Sequence, residues 1–365
     1  MLGPLPAKLS GFDATLPLEQ ARTIPACWYT DSDIYELECR EVFGGTWQAL
    51  GRADQVGKPG QFFTAELAGE PILVIRDEQG TLRALANVCR HRAARVETAG
   101  QGCASKLRCP YHGWTYDLAG KLRGTPEFEG VVDFCKEENG LPAFAVQEWG
   151  GLVWVHVNDG PSGLPDFLAP LPEVVRDLGM EKLRFVERRE YRIACNWKVF
   201  VDNYLDGGYH INYVHPELAG VLDYSHYRTD NTGNVSVQQS PMTGDGKTAE
   251  LRSGPVAHYI WVFPNLMLNI YQGIMDTNLV LPEGPDACRV IFDFYFAAAT
   301  PPDFIAESIA LSDRIQVEDL SICADVQKGM ASRTYDTGRY CVRREGAIHH
   351  FHNLLAAKLT APYQT

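Results

Sequence analysis

Two short stretches of the sequence, CRHRAARV at 89–96 and CPYHGWTYDLAGKL at 109–122, carry a paired arrangement of cysteine and histidine. They form the pattern C-x-H, seventeen intervening residues, C-x2-H, so each stretch supplies one thiolate and one imidazole. Zinc modules more often pair cysteine with cysteine and histidine with histidine along the chain. The mixed pairs favour a [2Fe–2S] cluster with both cysteines on one iron and both histidines on the other, and leave tetrahedral zinc as the weaker alternative. The four candidate ligands are Cys89, His91, Cys109 and His112.

The region that contains these stretches is rich in short β-branched and aromatic segments. QFFTAEL at 61–67 and EPILVIRD at 70–77 are typical of strands, and turn signals such as DEQG separate such segments. The Gly- and Pro-rich stretch GPSGLPDFLAPLP at 160–172 is typical of a domain boundary. We therefore predict an all-β domain at 45–160.

The remainder of the chain mixes strand and helix patterns. RFVERREYRIAC at 184–195 and CRVIFDFYFAAA at 288–299 are typical of strands, whereas NWKVFVDNYLDG predicts a helix that begins at Asn196. From 302 to 330, apolar residues recur every three or four positions behind a proline, which predicts a long helix. The predicted fold class is therefore α+β, with an antiparallel sheet covered by helices in the second domain.

The length of the chain indicates the number of domains, and its composition indicates the class of protein. A chain of 365 residues fits two domains, and we place a catalytic domain at 161–365 with an N-terminal segment, 1–44, packed on it. The chain has 45% hydrophobic and 22% charged residues and no apolar run of about 20 residues, so we expect a globular protein outside the membrane. Its net charge of -13 makes nucleic acid an improbable partner. No secretory or transit signal is visible, so we expect the cytoplasm.

A second constellation lies in DNYLDGGYHINYVH at 202–215. Proteins commonly hold an iron with open positions by two histidines and one carboxylate. His210 and His215 are five residues apart, so an unbroken helix would separate their side chains by about 140°. Gly207-Gly208 and Pro216 predict that the helix loosens and ends here, which lets both histidines reach one ion.

Two more residues of this stretch, Asp206 and Asn203, are candidate catalytic residues. Asp206 precedes His210 by four positions and lies on the same helical face, where its carboxylate can accept a proton from the imidazole and orient it. The third iron ligand must come from elsewhere in the chain. The acidic pair 318–319 on the predicted long helix is the best candidate, although acids on the solvated face of a helix are the ordinary alternative.

The cysteine- and histidine-bearing stretches resemble the motif of the Rieske non-haem iron oxygenases, in their alpha subunit. Further segments, among them DNYLDGGYH, MDTNLVLP, DRIQVED and HHFHNLL, resemble the choline monooxygenase branch of that family, which includes plant enzymes and bacterial relatives. The likeness runs from about Cys27 to the C-terminus and covers nearly the whole chain.

This resemblance implies an all-β Rieske domain and a catalytic domain of the helix-grip type, with a mononuclear Fe(II). It implies that Asp319 is the third iron ligand. We expect the other acids of the predicted long helix, Glu318, Asp313 and Asp325, to lie on the face of that helix that is exposed to solvent. The resemblance also implies that Asp206 relays electrons from the Rieske cluster of a neighbouring subunit in a homotrimer. Many members space this aspartate D-x2-H, whereas this chain has D-x3-H, a spacing that the choline monooxygenase branch shares.

The resemblance implies a monooxygenase that uses O2 to hydroxylate a methylammonium compound, with choline, converted to betaine aldehyde, as the expected substrate. An N-demethylase of glycine betaine or carnitine-like compounds and an aromatic-acid hydroxylase are the alternatives within this chemistry. A non-enzymatic Rieske electron-transfer protein is the alternative outside it. Quaternary ammonium groups are held by aromatic faces, and an ordinary aromatic core is the alternative for the same residues. The candidate substrate-binding residues are Tyr209, Tyr213, Tyr259, Trp261 and Tyr271.

The electron donor is expected to be a separate protein. The chain carries no G-x-G-x-x-G dinucleotide fingerprint and no flavin motif, so an NAD(P)H-dependent reductase, a ferredoxin or both must supply the electrons. Between Arg83 and Arg123 the sequence has eight Lys or Arg residues against two acids. A basic region on an acidic chain favours docking of an acidic partner such as a ferredoxin.

Overall fold

The computed structural model of the chain describes residues 5–158, 162–244, 247–252 and 254–363. Contacts divide the chain into two units, one formed by Met1–Glu38 with Pro165–Thr365 and the other by Cys39–Leu164. The N-terminal segment as far as Glu38 therefore groups with the C-terminal part of the chain. The boundary predicted at 160/161 falls outside the described residues.

The unit Cys39–Leu164 is built almost entirely of short antiparallel strands. A seven-stranded sheet runs in the order β1-β10-β9-β4-β3-β2-β5, and a second sheet has the order β6-β7-β8. Leu73, Ile75 and Leu85 from the large sheet pack with Trp114 and Tyr116 in one buried apolar cluster. The strands are β1 Gln48–Arg52, β2 Gln61–Leu67, β3 Glu70–Arg76, β4 Leu82–Ala86, β5 Gln101–Cys103, β6 Leu107–Arg108, β7 Thr115–Tyr116, β8 Leu122–Gly124, β9 Ala143–Trp149 and β10 Leu152–His156.

The other unit centres on a seven-stranded antiparallel sheet in the order β11-β17-β16-β15-β14-β13-β12, with helices packed on it. Together with the all-β unit, this sheet confirms the predicted α+β class. The strands are β11 Leu183–Ile193, β12 Arg228–Thr232, β13 Val235–Pro241, β14 Val256–Val262, β15 Leu266–Tyr271, β16 Ile274–Gly284 and β17 Ala287–Ala297. The helices are α1 Leu5–Leu9, α2 Cys27–Thr30, α3 Ser32–Leu37, α4 Leu164–Leu168, α5 Leu171–Val175, α6 Trp197–Leu205, α7 Ile211–Val214, α8 Pro216–Ala219, α9 Lys247–Leu251, α10 Pro302–Met330 and α11 Gly346–Thr360.

Two of these helices position the second constellation. The Asn196 side chain accepts a hydrogen bond from the Lys198 backbone N–H and caps α6, as the sequence predicts. α10 has Pro302 in its first turn and continues for 29 residues, or roughly 43 Å, which confirms the predicted long helix. α6 and α10 pack against each other, so residues about 120 positions apart in the sequence meet.

No helix among the described residues combines the length and the apolar character that a membrane span requires. The cytoplasmic location stays a prediction.

Candidate functional site

The two cysteine- and histidine-bearing stretches fold into loops of the same conformation. In the first loop, Cys89 N–H donates to Ala94 O (2.8 Å) and Ala93 N–H donates to Cys89 O (3.0 Å). In the second, Cys109 N–H donates to Trp114 O (2.8 Å) and Gly113 N–H donates to Cys109 O (3.1 Å). Ala93 and Gly113 occupy the same place in their loops, and both have positive φ angles, 58° and 74°. The conformational match explains how each loop presents one thiol and one imidazole.

The loop side chains separate into a buried thiol pair and a more exposed histidine pair. Cys89 and Cys109 are 3% and 2% exposed. His91 Nδ1 lies 3.1 Å from His112 Nδ1, and the His91 ring stacks on Trp114 at a centroid distance of 4.8 Å. Two sulfurs on one side and two ring nitrogens on the other are the donor set of a cluster with one iron for each pair.

A single zinc ion does not fit this arrangement. Ligand atoms around one tetrahedral zinc lie roughly 3 to 4 Å apart, given metal–ligand bonds of about 2.0 to 2.3 Å. Within the part of the chain that the structure describes, the group of three or more side chains that converge closely enough to hold one ion is His210, His215 and Asp319, and the four loop ligands do not form such a group. The separate thiol and imidazole pairs therefore favour a two-iron cluster over a single zinc ion.

The surroundings of the sulfurs also suit an iron–sulfur cluster. Burial raises the pKa of the Cys109 thiol, and the neighbouring Cys89 adds to this effect, whereas backbone N–H groups of Tyr111 and His112 lower it. Tyr116 Oη lies 3.3 Å from Cys89 Sγ. N–H and O–H groups aimed at cluster sulfurs stabilise negative charge there and help to set the reduction potential.

The second constellation is built on an interrupted helix. α6 ends at Leu205, and Gly207 and Gly208 follow with φ of 67° and 73°, a left-handed conformation that glycine adopts without strain. A Cβ atom on Gly207 would lie 2.3 Å from the Arg344 carbonyl oxygen, so side chains are excluded there. His210 and His215 flank the four-residue α7, and Pro216 begins α8. The predicted loosening at the glycines and the end near the proline are both confirmed.

The interruption brings the two histidines to Asp319 of α10. His215 Nε2 lies 3.1 Å and His210 Nε2 3.9 Å from Asp319 Oδ1, and the two rings are 4.9 Å apart at their centroids. One ligand atom from each of the three residues lies within 4.8 Å of the others. Two imidazoles and one carboxylate that converge in this way fit an iron with open coordination positions.

Each imidazole is oriented by a second carboxylate. His210 Nδ1–H donates to Asp206 Oδ2 (2.6 Å), and His215 Nδ1–H donates to Glu318 Oε2 (2.7 Å). Both hydrogen bonds fix the tautomer that leaves Nε2 free to bind a metal. The assignment of Glu318 to the solvated face of α10 is therefore wrong: its side chain is 39% exposed, but its carboxylate reaches His215.

The charges at this site favour a cation. Burial lowers the pKa of His215, but the hydrogen bonds and charges of Asp319 and Glu318 outweigh burial, so the pKa lies above its ordinary value. The same negative potential that retains a proton on the imidazole attracts a metal ion in its place. Asn203 Nδ2–H donates to Asp319 Oδ1 (2.8 Å) and holds that carboxylate in position.

A pocket of about 120 Å³ lies against these residues. One water needs about 10 to 15 Å³ of such volume, so the pocket has room for roughly 8 to 12 non-hydrogen atoms. Burial keeps the pKa of Tyr204, Tyr227 and Tyr259 well above the ordinary value, so these phenols are neutral. Six aromatic side chains line the pocket: Phe200, Tyr204, Tyr227, Tyr259, Tyr271 and Phe292.

The structure places three of the five predicted substrate-binding residues outside this pocket. Tyr209 and Tyr213 are 47% and 84% exposed and do not line the pocket, because they point outward on the loop that carries the histidines. Trp261 is fully buried against Phe351 of α11, with a centroid distance of 5.3 Å, and is an ordinary core residue. Tyr259 and Tyr271 do line the pocket.

Several residues that line the pocket were not identified from the sequence, although two of them lie in segments that had already been singled out. Tyr204 lies next to Asn203 in the stretch that supplies the histidines, and Asp276 lies in MDTNLVLP, one of the segments that carried the family resemblance. Arg252 and Gln316 also line the pocket, but no sequence pattern distinguishes them from other residues of their types.

Comparison with known proteins matches both units. Residues 46–136 match the Rieske [2Fe-2S] domain, and residues 180–361 match the ring hydroxylating alpha subunit catalytic domain. The chain is 41% identical to the chloroplastic choline monooxygenase of Arabidopsis thaliana, over 94% of this chain and 84% of that protein. It is 30% identical to the carnitine monooxygenase oxygenase subunit of Escherichia coli (strain K12), over 93% of this chain and 94% of that subunit.

A solved structure has the same fold over nearly the whole chain. The quaternary ammonium Rieske monooxygenase CntA, in complex with an inhibitor, superposes with a TM-score of 0.86 at 27% identity, over 94% of this chain and 98% of that one. The predicted cofactors, a Rieske [2Fe–2S] cluster and mononuclear non-haem iron, are confirmed, with O2 as the co-substrate. Two matching domain models and a 41% identical relative that aligns with 94% of this chain show that the chain belongs to the Rieske non-haem iron oxygenases.

Proposed function

We propose that the chain is the oxygenase component of a monooxygenase that hydroxylates a quaternary methylammonium compound. The observation that carries this proposal is the pocket beside His210, His215 and Asp319, which is lined by six aromatic side chains. A quaternary ammonium ion cannot donate a conventional N–H hydrogen bond, and aromatic faces bind it through their negative π-faces. Neutral tyrosines such as Tyr204 and Tyr259 supply such faces next to the candidate iron ligands.

The proposed roles of the individual residues follow from their contacts. His210, His215 and Asp319 hold the iron, while Asp206 and Glu318 hold the two imidazoles in the orientation that metal binding needs. When bound, the iron supplies O2 activation, so that one oxygen atom enters a C–H bond and the other leaves as water. The aromatic wall positions the substrate carbon and keeps bulk water away from it.

We assign the electron relay to Asp206, whose carboxylate contacts His210 directly. In the arrangement that we propose, a homotrimer, this carboxylate links the iron site to a cluster histidine of the adjacent subunit. Inter-subunit electron transfer in the related quaternary ammonium Rieske monooxygenase CntA supports this arrangement. A separate NAD(P)H-dependent reductase or ferredoxin supplies the electrons.

Choline is the first substrate to test, because the chain is 41% identical to a choline monooxygenase. Hydroxylation of the carbon that bears the choline hydroxyl gives the hydrate of betaine aldehyde. Carnitine monooxygenase subunits are also related, at 30% identity, so betaines belong in the same panel. Hydroxylation of an N-methyl group would instead release formaldehyde and a demethylated amine.

The test combines iron analysis with product analysis. The loaded wild-type protein should contain about three irons per chain, of which about two are lost in Cys109→Ala and about one in His210→Ala. With NAD(P)H, a reductase and 18O2, we expect one labelled oxygen atom in the aldehyde hydrate formed from choline, or in the formaldehyde released from a betaine, when the carbonyl product is trapped before it exchanges oxygen with water. Turnover of aromatic acids alone would overturn the substrate class. Retention of all activity in His210→Ala would overturn the assignment of the iron site.

A further inference from the structure

One part of the pocket wall carries a buried positive charge. Arg252 follows α9 and is 3% exposed, and its guanidinium group donates hydrogen bonds to the hydroxyls of Ser308 (2.8 Å) and Ser312 on α10. Its guanidinium carbon lies 5.1 Å from the centroid of the Tyr271 ring. Arg252 is thus held in place at the pocket wall by neutral partners.

This guanidinium has no carboxylate partner among the described residues, since none of their acids lies within 4.0 Å of it. Asp276 lines the same pocket, where burial raises the pKa of its carboxyl group and the charge of Arg252 offsets part of that rise. Its carboxylate, however, accepts hydrogen bonds from Asn269 (2.7 Å) and Asn278 (2.8 Å). A buried guanidinium with only neutral hydrogen-bond partners is costly unless an anion completes the site.

A second donor lies on the same wall. Gln316 is 3% exposed and lines the pocket, and its buried Nε2 amide group has no hydrogen-bond partner among the residues that the structure describes. It lies four residues after Ser312 and three before Asp319, so all three lie on one face of α10. The face therefore runs from the Arg252 anchor, through an unpaired donor, to the candidate iron ligand.

We propose that Arg252 and Gln316 bind the carboxylate of the substrate, so that the pocket selects a betaine rather than choline. This inference rests on the proposed function, because it assigns the ammonium end of the same molecule to the aromatic wall. A carboxylate would neutralise the guanidinium and accept the hydrogen bond of the amide, whereas the choline hydroxyl would leave Arg252 without an anion in hydrogen-bonding contact.

The distances along α10 agree with this placement. Ser312 and Asp319 are seven residues apart, or roughly 10 Å along the helix axis. A small betaine held at Arg252 by its carboxylate can therefore extend toward the iron ligands with its methyl groups. The pocket volume of about 120 Å³ accommodates such a molecule.

The experiment uses the iron-loaded enzyme with its reductase and compares kcat/KM for glycine betaine, γ-butyrobetaine and choline. Arg252→Met should lower the ratio of betaine to choline kcat/KM on the order of 10- to 100-fold, mainly through the betaine KM. Arg252→Lys should recover part of the ratio because it keeps the charge. Arg289→Met is the matched control, since Arg289 pairs with Glu190 and Glu283 outside the pocket, and it should leave the ratio unchanged.

Gln316→Glu provides a second, nearly isosteric variant if Arg252→Met does not fold. It places a carboxylate where we expect the substrate carboxylate, so the betaine KM should rise on the order of tenfold relative to that of choline. Absorption of the Rieske cluster and iron content check that each variant is loaded. An unchanged ratio in these variants overturns the inference, as does a wild-type enzyme that oxidises choline but neither binds nor oxidises the betaines. If the loaded enzyme oxidises neither class, the proposed function itself fails.

Discussion

Asp206 Oδ2 lies 2.6 Å from His210 Nδ1, and the same carboxylate accepts backbone hydrogen bonds from Tyr209 (3.0 Å) and His210 (2.9 Å). The backbone bonds hold the aspartate at the end of α6, so that its charge faces the imidazole. The extra residue in the D-x3-H spacing is therefore accommodated by the left-handed Gly207-Gly208 turn.

We expect Asp206→Asn to lower product formation by about 10- to 100-fold, because the amide keeps the size of the side chain but loses the charge that orients His210. Stopped-flow absorption should show that the reductase still reduces the Rieske cluster at the wild-type rate, while substrate-dependent reoxidation by O2 slows. Asp223→Asn is the matched control, since Asp223 Oδ2 and His226 Nδ1 form a similar pair (2.7 Å) outside the pocket. Equal losses in the two variants would contradict a relay role for Asp206.

Glu318→Gln should weaken iron binding by about 10- to 100-fold, because the neutral amide is a poorer acceptor for His215 Nδ1–H than the carboxylate at 2.7 Å. Titration of iron-free protein with Fe(II) under anaerobic conditions measures the change. Asp325→Asn, on the same helix but paired with Lys328 at the surface, should bind iron like the wild type. Wild-type affinity in Glu318→Gln would show that the carboxylate has no role in holding His215.

Iron affinity should also depend on pH through His215. Burial lowers its pKa, but Asp319 and Glu318 raise it above the ordinary value of 6.5, and a proton competes with iron for the imidazole. Below the raised pKa, the apparent affinity should therefore fall about tenfold per pH unit, and well above it the affinity should be constant. In the iron-free protein, the raised pKa stabilises the fold at low pH, and this contribution is lost as the pH rises through the folded-state pKa. An apparent Kd that does not change with pH would contradict this competition.

The sequence predicted best those features that depend on local spacing. The helix interruption follows from Gly207-Gly208 and Pro216, which are adjacent to the histidines in the chain. Which aromatic side chains line the pocket depends instead on packing between elements that are distant in the sequence. Trp261 is two residues after Tyr259 on the same face of β14, yet Phe351 of α11 covers it and leaves only Tyr259 at the pocket.

The carboxylates on α10 give a second example. Glu318 and Asp319 are neighbours on one helix, and both contact His215 through different ring nitrogens. Their roles depend on the rotation of α10 relative to the histidine-bearing loop. That rotation is set by packing between α6 and α10, which no local pattern in the sequence reveals.

Tyr259→Leu should weaken binding of the quaternary ammonium substrate by about 3- to 30-fold, because it removes an aromatic face from the pocket. Tyr259→Phe keeps the ring and removes only the hydroxyl that accepts from Tyr271 (3.1 Å), so it should bind nearly as well as the wild type. Calorimetric titration of the substrate measures both. Tyr213→Leu is the control outside the pocket and should leave substrate affinity unchanged. Equal affinities in Tyr259→Leu and the wild type would contradict an aromatic binding site.

The cluster loops give the last prediction, which concerns the electron donor. Arg92 is exposed next to the cluster ligand His91, and Arg95 pairs only weakly with Glu66, at 3.3 Å between two exposed side chains. We expect the double variant Arg92→Glu/Arg95→Glu to slow cluster reduction by an acidic ferredoxin about tenfold at low ionic strength, and the difference should shrink as salt screens the charges. Arg176→Glu/Lys182→Glu changes the net charge equally at exposed positions of the other unit and should have a much smaller effect. Unchanged reduction rates at low salt in the first variant would place the docking surface elsewhere.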